Sequence, residues 1–309
     1  MRQFVFVSAL SALIGSAVPA PPARAAAPDA ATEPAGAETP DQMLIEAQRQ
    51  SIGAPARADI GDEAAVRLSG ALVMVPPEYA AKLLTVLKRP VAAELQGLLL
   101  GAAGMQAPGL IRFIPAGFIN ANEALAWTPE DILFSLRASV EHRNAEREAQ
   151  NLPLLEVRRW VQAPRYDPES HQLSWAALIL PKDAPRRSGG DITWHAIGFG
   201  RDGYVHLTTV ASLEKAETVR RDTEAFLIGL SFRPGKTYGD VVPADPRAPG
   251  GLAAAMEIDS LSKDRSEGID LDIDTVLPIV GGIVGLIGAA GLLIYRRQQQ
   301  RKRRRVRPR

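Results

Sequence analysis

The chain has no cysteine in 309 residues, which excludes structural disulfides, thiolate metal sites, cysteine nucleophiles and lipid attachment through a thiol. Histidine is scarce, with only His142, His171, His195 and His206, and no two of them have the i, i+4 spacing of HExxH. GxSxG does not occur, so the nucleophile-elbow signature of serine hydrolases is missing as well. Aromatic residues make up 6% of the chain, yet 46% is hydrophobic, enough to build a core.

The formal net charge of +1 hides a polarised layout. Eleven of the 36 basic residues lie before residue 26 or after residue 295, leaving 25 against all 35 acidic ones, a net charge of −10 from Ala26 to Thr275. Residues 1–25 begin with Arg2, continue through the apolar stretch Phe4 to Val18 and end in Ala23-Arg24-Ala25, the pattern of a cleaved secretory signal peptide. Residues 26–38 are rich in Ala, Pro, Glu and Thr and are expected to form a disordered leader.

Residues 276–295 carry no charge and match the length a helix needs to span a bilayer. An acidic stalk (257–275) precedes this run and a purely basic tail (296–309) follows it, so the positive-inside rule puts the tail in the cytoplasm. The expected placement is the bacterial inner membrane, with the domain in the periplasm and the basic tail attracted to anionic lipid. Gly281, Gly285 and Ala289 recur every four residues, a spacing that lets two membrane helices pack closely.

Residues 39–256 read as an α+β domain, an antiparallel sheet built from hairpins with packed helices. Thr39-Pro40-Asp41-Gln42 opens a short helix, and Val66 to Val75 reads as a strand or bent strand pair around Ser69-Gly70. Pro76-Pro77-Glu78 opens a second short helix through Tyr79, Leu83 and Leu87, and buried strands are expected between Gly97 and Ile119. Pro129 to about Gln150 is the clearest helix, capped by Thr128; its second half is polar all round, so it either projects into solvent or offers a charged face to a partner. Two hairpins follow, Leu154–Trp160 with Leu173–Leu180 and Ile192–Phe199 with Tyr204–Val210, and then a helix from Ser212 to about Leu230.

Gly198-Phe199-Gly200-Arg201-Asp202-Gly203 matches GxGxxG, but a strand follows it instead of a helix start, so the glycines serve a hairpin turn and not a phosphate. His195 and His206 fall on facing strands, where they could hold a metal with Asp202 or Glu217; such positions are more commonly half-buried strand residues with one hydrogen bond. The most distinctive segment is Trp160 to Trp175, which gathers two tryptophans with Arg165, Tyr166, Asp167 and His171 around a proline-bounded loop. Aromatic and arginine enrichment of this kind is typical of binding hot spots, although both tryptophans would also serve to close a hairpin core.

These residues resemble a family of bacterial membrane-anchored proteins whose shared domain is of unknown function. The matching stretches are WTPEDIL with the later Asn144 and Arg147, then Trp160, Pro164, Tyr166, Asp167, His171, Leu173, Trp175 and Ala176, then GFGRDGYVHL, and Phe232 to Ala254. The chain departs from the family at Thr193-Trp194-His195, where Asn-Tyr is usual, and at Tyr238-Gly239-Asp240-Val241, where Tyr-Ala-Asp-Phe is usual; the family's C-terminal hydrophobic part also tends to be longer. The resemblance implies an exported or membrane-anchored domain and no particular activity.

The function expected from sequence is a non-catalytic binding or assembly domain. Its interaction surface comprises Asn144, Arg147, Trp160, Arg165, Tyr166, Asp167, His171 and Trp175, with no cofactor and no metal. Its partner is expected to be an envelope or membrane protein, or a second copy through the membrane helix. Nucleic acid is disfavoured by the charge of the exported part. The alternative is a periplasmic hydrolase using His171 with Asp167, or His195 with His206, as acid and base groups.

Overall fold

The computed structural model describes residues 40–87, 89, 91–185 and 190–258. The expected signal peptide, leader, membrane helix with Gly281, Gly285 and Ala289, and basic tail lie outside the described residues, as does the Thr39 cap. No helix among the described residues is long and apolar enough to cross a membrane. The expected stalk boundary moves: Glu257 and Ile258 are 8% and 5% exposed and belong to the core.

In chain order the elements are α1 (Pro40–Arg49), β1 (Ile52–Gly53), β2 (Ala56–Ile60), β3 (Ala64–Leu68), β4 (Val73–Val75), α2 (Pro77–Val86), β5 (Leu95–Leu100), β6 (Gly109–Ile114), α3 (Pro129–Ala149), β7 (Leu155–Asp167), β8 (Gln172–Pro181), β9 (Asp191–Phe199), β10 (Tyr204–Ser212), α4 (Ala216–Gly229), β11 (Leu230–Phe232) and α5 (Gly251–Ala255). Eight strands form one sheet in the order β1-β4-β5-β6-β10-β9-β8-β7, with every neighbouring pair antiparallel. A second sheet, β11-β3-β2, is also antiparallel. The expected pair around Ser69-Gly70 is therefore not a hairpin, because the turn passes the chain from the small sheet into the large one.

Alternation along the strands sorts the core into two layers. On β9 and β10, His195, Ile197, Phe199, Tyr204 and His206 share one face, where Ile132, Leu136 and Val140 of α3 and Leu252 of α5 cover the sheet. On that same face, α1 and α2 bury Met43, Ala47, Leu83 and Leu84 against Leu98, Leu110 and Val210. Ala196, Val205 and Leu207 point the other way, toward the small sheet and Phe226 and Leu227 of α4. The β9–β10 turn behaves as the sequence predicts: Gly203 has φ 154°, and a Cβ there would collide with the carbonyl oxygen of Ile114.

The polar second half of α3 is two-sided: Glu141, His142, Glu146 and Glu148 are exposed, while Asn144 and Arg147 turn toward the sheet edge. Asn144 and Arg147 are 4% and 6% exposed, so they leave the proposed interaction surface. Asn144 acts as a substitute strand: its Nδ2 donates to the carbonyl of Leu155 at 2.9 Å, and its Oδ1 accepts from the Leu155 N–H at 2.9 Å. Arg147 donates to the carbonyl of Pro153 at 2.8 Å, and Arg137 donates to those of Val157 and Arg158 at 3.0 and 2.7 Å. A helix that looks solvated in sequence is thus bound to the edge of the sheet through backbone groups, which hydropathy cannot register.

Replacing Asn144 with Ala removes a donor and an acceptor at once and leaves both Leu155 groups without their partner. The expected cost is about 1–3 kcal/mol, visible as a lower thermal midpoint of the full-length protein. An unchanged midpoint would remove Asn144 from the account of how α3 is held.

Candidate functional site

The hairpin β7–β8 carries most of the residues singled out in the sequence, and the structure divides them by role. Trp175 is 1% exposed and faces the core, so it is withdrawn from the interaction surface. Trp160 is half-buried and its Nε1–H donates to the carbonyl of Pro129 at 3.0 Å, tying the hairpin to the start of α3. Arg165, Tyr166, Asp167 and His171 lie toward the hairpin's far end, with Arg165 and Asp167 exposed.

His171 is the unusual residue at this tip. Its φ of 52° is in the left-handed region that ordinarily favours glycine, and its carbonyl accepts from the N–H of Phe199 at 3.0 Å. Its ring stacks on Tyr238, with centroids 3.9 Å apart, and Tyr238 in turn meets Phe118 at 4.9 Å. The Arg247 guanidinium lies over Phe118 at 4.8 Å. The Tyr166 hydroxyl donates to Asn122 Oδ1 at 3.0 Å, so its oxygen takes the proton of His171 Nδ1 at 3.2 Å. This sets the His171 tautomer and leaves a lone pair on Nε2.

Burial pushes the Tyr166 hydroxyl up to about 12, with Tyr238 and Asp167 adding to the effect. Burial also lowers His171, while nearby Asp167 opposes the shift. Asp167 is not the partner of His171 that an acid-base pair requires. Its oxygens accept from Ser170 Oγ at 2.7 Å and from the Glu169 N–H at 3.0 Å, which together hold its carboxyl below the usual range and close the turn.

The second constellation lies inside the domain, between the sheet and its helical cover. His195 and His206 are diagonal neighbours across β9 and β10, with His195 Nδ1 3.0 Å from His206 Nε2. The third member is Glu257, immediately beyond α5, rather than the anticipated Asp202 or Glu217; ligand atoms of the trio lie within 4.8 Å of one another. Arg112 of β6 completes the group, with Nη2 3.1 Å from His206 Nδ1 and 3.4 Å from Glu257 Oε1. All four are buried, His206 at 0% exposure.

A guanidinium can only donate, and this fixes every proton in the line. Arg112 donates to His206 Nδ1, so the His206 proton sits on Nε2 and is donated to His195 Nδ1. His195 then carries its own proton on Nε2. Trp175 stacks on the His195 ring at 4.7 Å and 7°. The His206 proton occupies the space between the two imidazoles where a metal would need a lone pair, and moving it to Nδ1 would set it against Arg112. The geometry is that of a directed hydrogen-bond chain, and its residues do not suit a cation.

Both imidazoles are neutral. Burial, reinforced by the charges of Arg112 and Arg143, holds His195 at about 3, while burial, Arg112 and His195 hold His206 well below its ordinary value. Neither is an acid-base group poised near neutral pH, as the hydrolase alternative would require. The sequence offers one signal for this group, the lone arginine inside the apolar run Leu110-Ile111-Arg112-Phe113-Ile114. Glu257, Tyr238 and Asn122 carry no comparable mark.

The pH dependence follows from the sign of these shifts. The unfolded chain takes up protons on histidine below about 6.5, while the folded chain does not, so this stability is present above that pH and is lost as pH falls toward the folded values. Between pH 7 and pH 5 the loss should be about 2 kcal/mol for each of the two histidines. Chemical denaturation of the full-length protein across this range should show it, and His195→Gln with His206→Gln should flatten the curve.

Comparison with known proteins gives a family and, among solved structures, likeness at low identity. The family described as "Protein of unknown function (DUF2167)" matches residues 53–258. No curated protein matches. Among solved structures, the solution structure of cyanobacterial PsbP (CyanoP) from Synechocystis sp. PCC 6803 is similar at 7% identity, covering 59% of this chain and 95% of that one, with a TM-score of 0.36. Since the match covers about two thirds of the chain, from Gly53 of β1 through α5 to Ile258, the chain belongs to the DUF2167 family.

Proposed function

We propose that this is a membrane-anchored envelope protein whose exported α+β domain is a binding or assembly module, with the tip of the β7–β8 hairpin as its recognition element. The anchoring is read from the leader at residues 1–25 and the uncharged run at 276–295 followed by basic residues. The partner is an envelope or membrane protein, with a second copy through Gly281, Gly285 and Ala289 as a further contact and anionic lipid at the basic tail.

One observation carries the binding role: His171 holds a left-handed backbone that glycine would adopt more readily, and its ring is locked by Tyr238 and Tyr166 with Nε2 unbonded. Non-glycine residues persist in such conformations where surrounding contacts over-determine them, and they cluster at functional sites. A stacked, pre-oriented ring beside exposed Arg165 gives a partner a rigid anchor at low entropic cost. The non-catalytic character is supported by Asp167 being spent on its own turn and by the neutral, buried state of His195 and His206.

His171→Gly separates the ring from the fold, because glycine relaxes the φ of 52° while removing the side chain. Cross-linking of full-length protein in native membranes, read by mass spectrometry, should capture a discrete partner whose yield falls by about tenfold in the variant, with the thermal midpoint unchanged. Equal capture by wild type and variant would end this assignment.

A further inference from the structure

We propose that the line Glu257, Arg112, His206, His195 is a proton-operated latch on the last turn of the domain, so that acid frees residues 250–258 from the sheet while the sheet stays folded. The inference is independent of the hairpin reading, and it begins with how α5 ends. The N–H of Ile258 bonds to the carbonyl of Ala253, and that of Glu257 to Ala254, closing the helix with Glu257 at φ 58°. That position normally takes glycine. Here a glutamate occupies it, and its buried carboxylate reaches Arg112 in the middle of the sheet.

The members of the line differ in how freely they can move. Arg112, His206 and His195 belong to β6, β10 and β9, which are contiguous in the large sheet and joined by continuous antiparallel ladders. Glu257 hangs from a five-residue helix whose hold on the sheet face comes from Leu252, Ala253, Ala255, Met256 and Ile258. Opening follows the element with the least holding it.

Protonation undoes the line at one atom. A proton on His206 Nδ1 turns the acceptor of the Arg112 bond into a donor, so two cations face each other at 3.1 Å where a hydrogen bond had been. The titratable and charged groups around the pair are Arg112 from β6, Arg143 from α3, Tyr204 from β10 and Glu257 beyond α5, with Glu94, ahead of β5, acting on Tyr204. One carboxylate then stands among several cations. A buried net positive charge is relieved by admitting water, and withdrawal of α5 is the movement that admits it.

Hydrogen exchange of the full chain in membranes, read by mass spectrometry and corrected for the intrinsic pH dependence of exchange, tests this. Between pH 7 and pH 5, peptides covering residues 250–258 should gain about tenfold in exchange, while those of β9 and β10 stay protected. His206→Gln should abolish the gain, and His206→Lys should produce it already at pH 7. The latch is overturned if residues 250–258 remain protected at pH 5, or if they lose protection together with β9 and β10. Should the variants not fold, the wild type carries a second readout. Exchange of 250–258 must rise progressively as pH falls below about 6.5, where an imidazole exposed by opening takes up its proton, and an opening that does not depend on pH in this range would equally reject the latch.

Discussion

A buried guanidinium imposes an order on everything that touches it. Arg112 offers only donors, so each neighbour must accept: an imidazole nitrogen on β10 on one side and a carboxylate from the chain's last described turn on the other. Three elements far apart in sequence are thereby held in one arrangement, and, with both rings neutral, the tautomers of two histidines follow. Buried ion pairs contribute little net stability once desolvation is counted, but breaking one is costly, because the survivor is left as an uncompensated charge. The group therefore makes the arrangement specific more than it strengthens it. It also explains why a chain with so few histidines places two of them where neither meets bulk water.

The remaining polar contacts follow a related logic, in which side chains substitute for missing backbone partners. Asn144 takes the place of a neighbouring strand for Leu155, Arg137 closes two further carbonyls of β7, and Trp160 satisfies Pro129 at the helix start. The segment after β11 is held instead by pairs of charged side chains. Arg201 makes a two-pronged pair with Asp245 at 2.8 Å for each bond, and Lys236 bridges Glu63 and Asp202. These contacts fasten the irregular stretch that carries Tyr238 and Arg247 against the hairpin tips, so the ladder at His171 has a fixed base.

Much of the fold was legible because it follows periodicity and turn chemistry. The β9–β10 hairpin, the capped helix from Pro129 and the helix on the sheet lie where alternation, Asp-Gly and Thr-Pro-Glu-Asp place them, whereas β7 runs on past Trp160 to Asp167 through the expected proline-bounded loop. The short strands β1, β2 and β11 were not, since two to five residues carry too little pattern to separate from a loop. The site was legible only in part. Residue type pointed to the β7–β8 hairpin, but burial divided its members: Trp175, Asn144 and Arg147 turned inward because they serve the core or the backbone. Left-handed backbone at His171 and Glu257, and the meeting of Arg112 with Glu257 across 145 positions, depend on tertiary structure that no local window contains.

An open eight-stranded sheet has two rims, and this one has disposed of both. One rim is a strand of two residues, β1, too short to template another chain. The other, β7, is thirteen residues long, but it is irregular at three places, carries Pro164, and has its first carbonyls occupied by α3. Many copies confined to one surface would collide at high local concentration, where exposed strand edges seed fibrillar stacking. A sheet with blunted rims can be crowded in that way and remain a population of separate molecules.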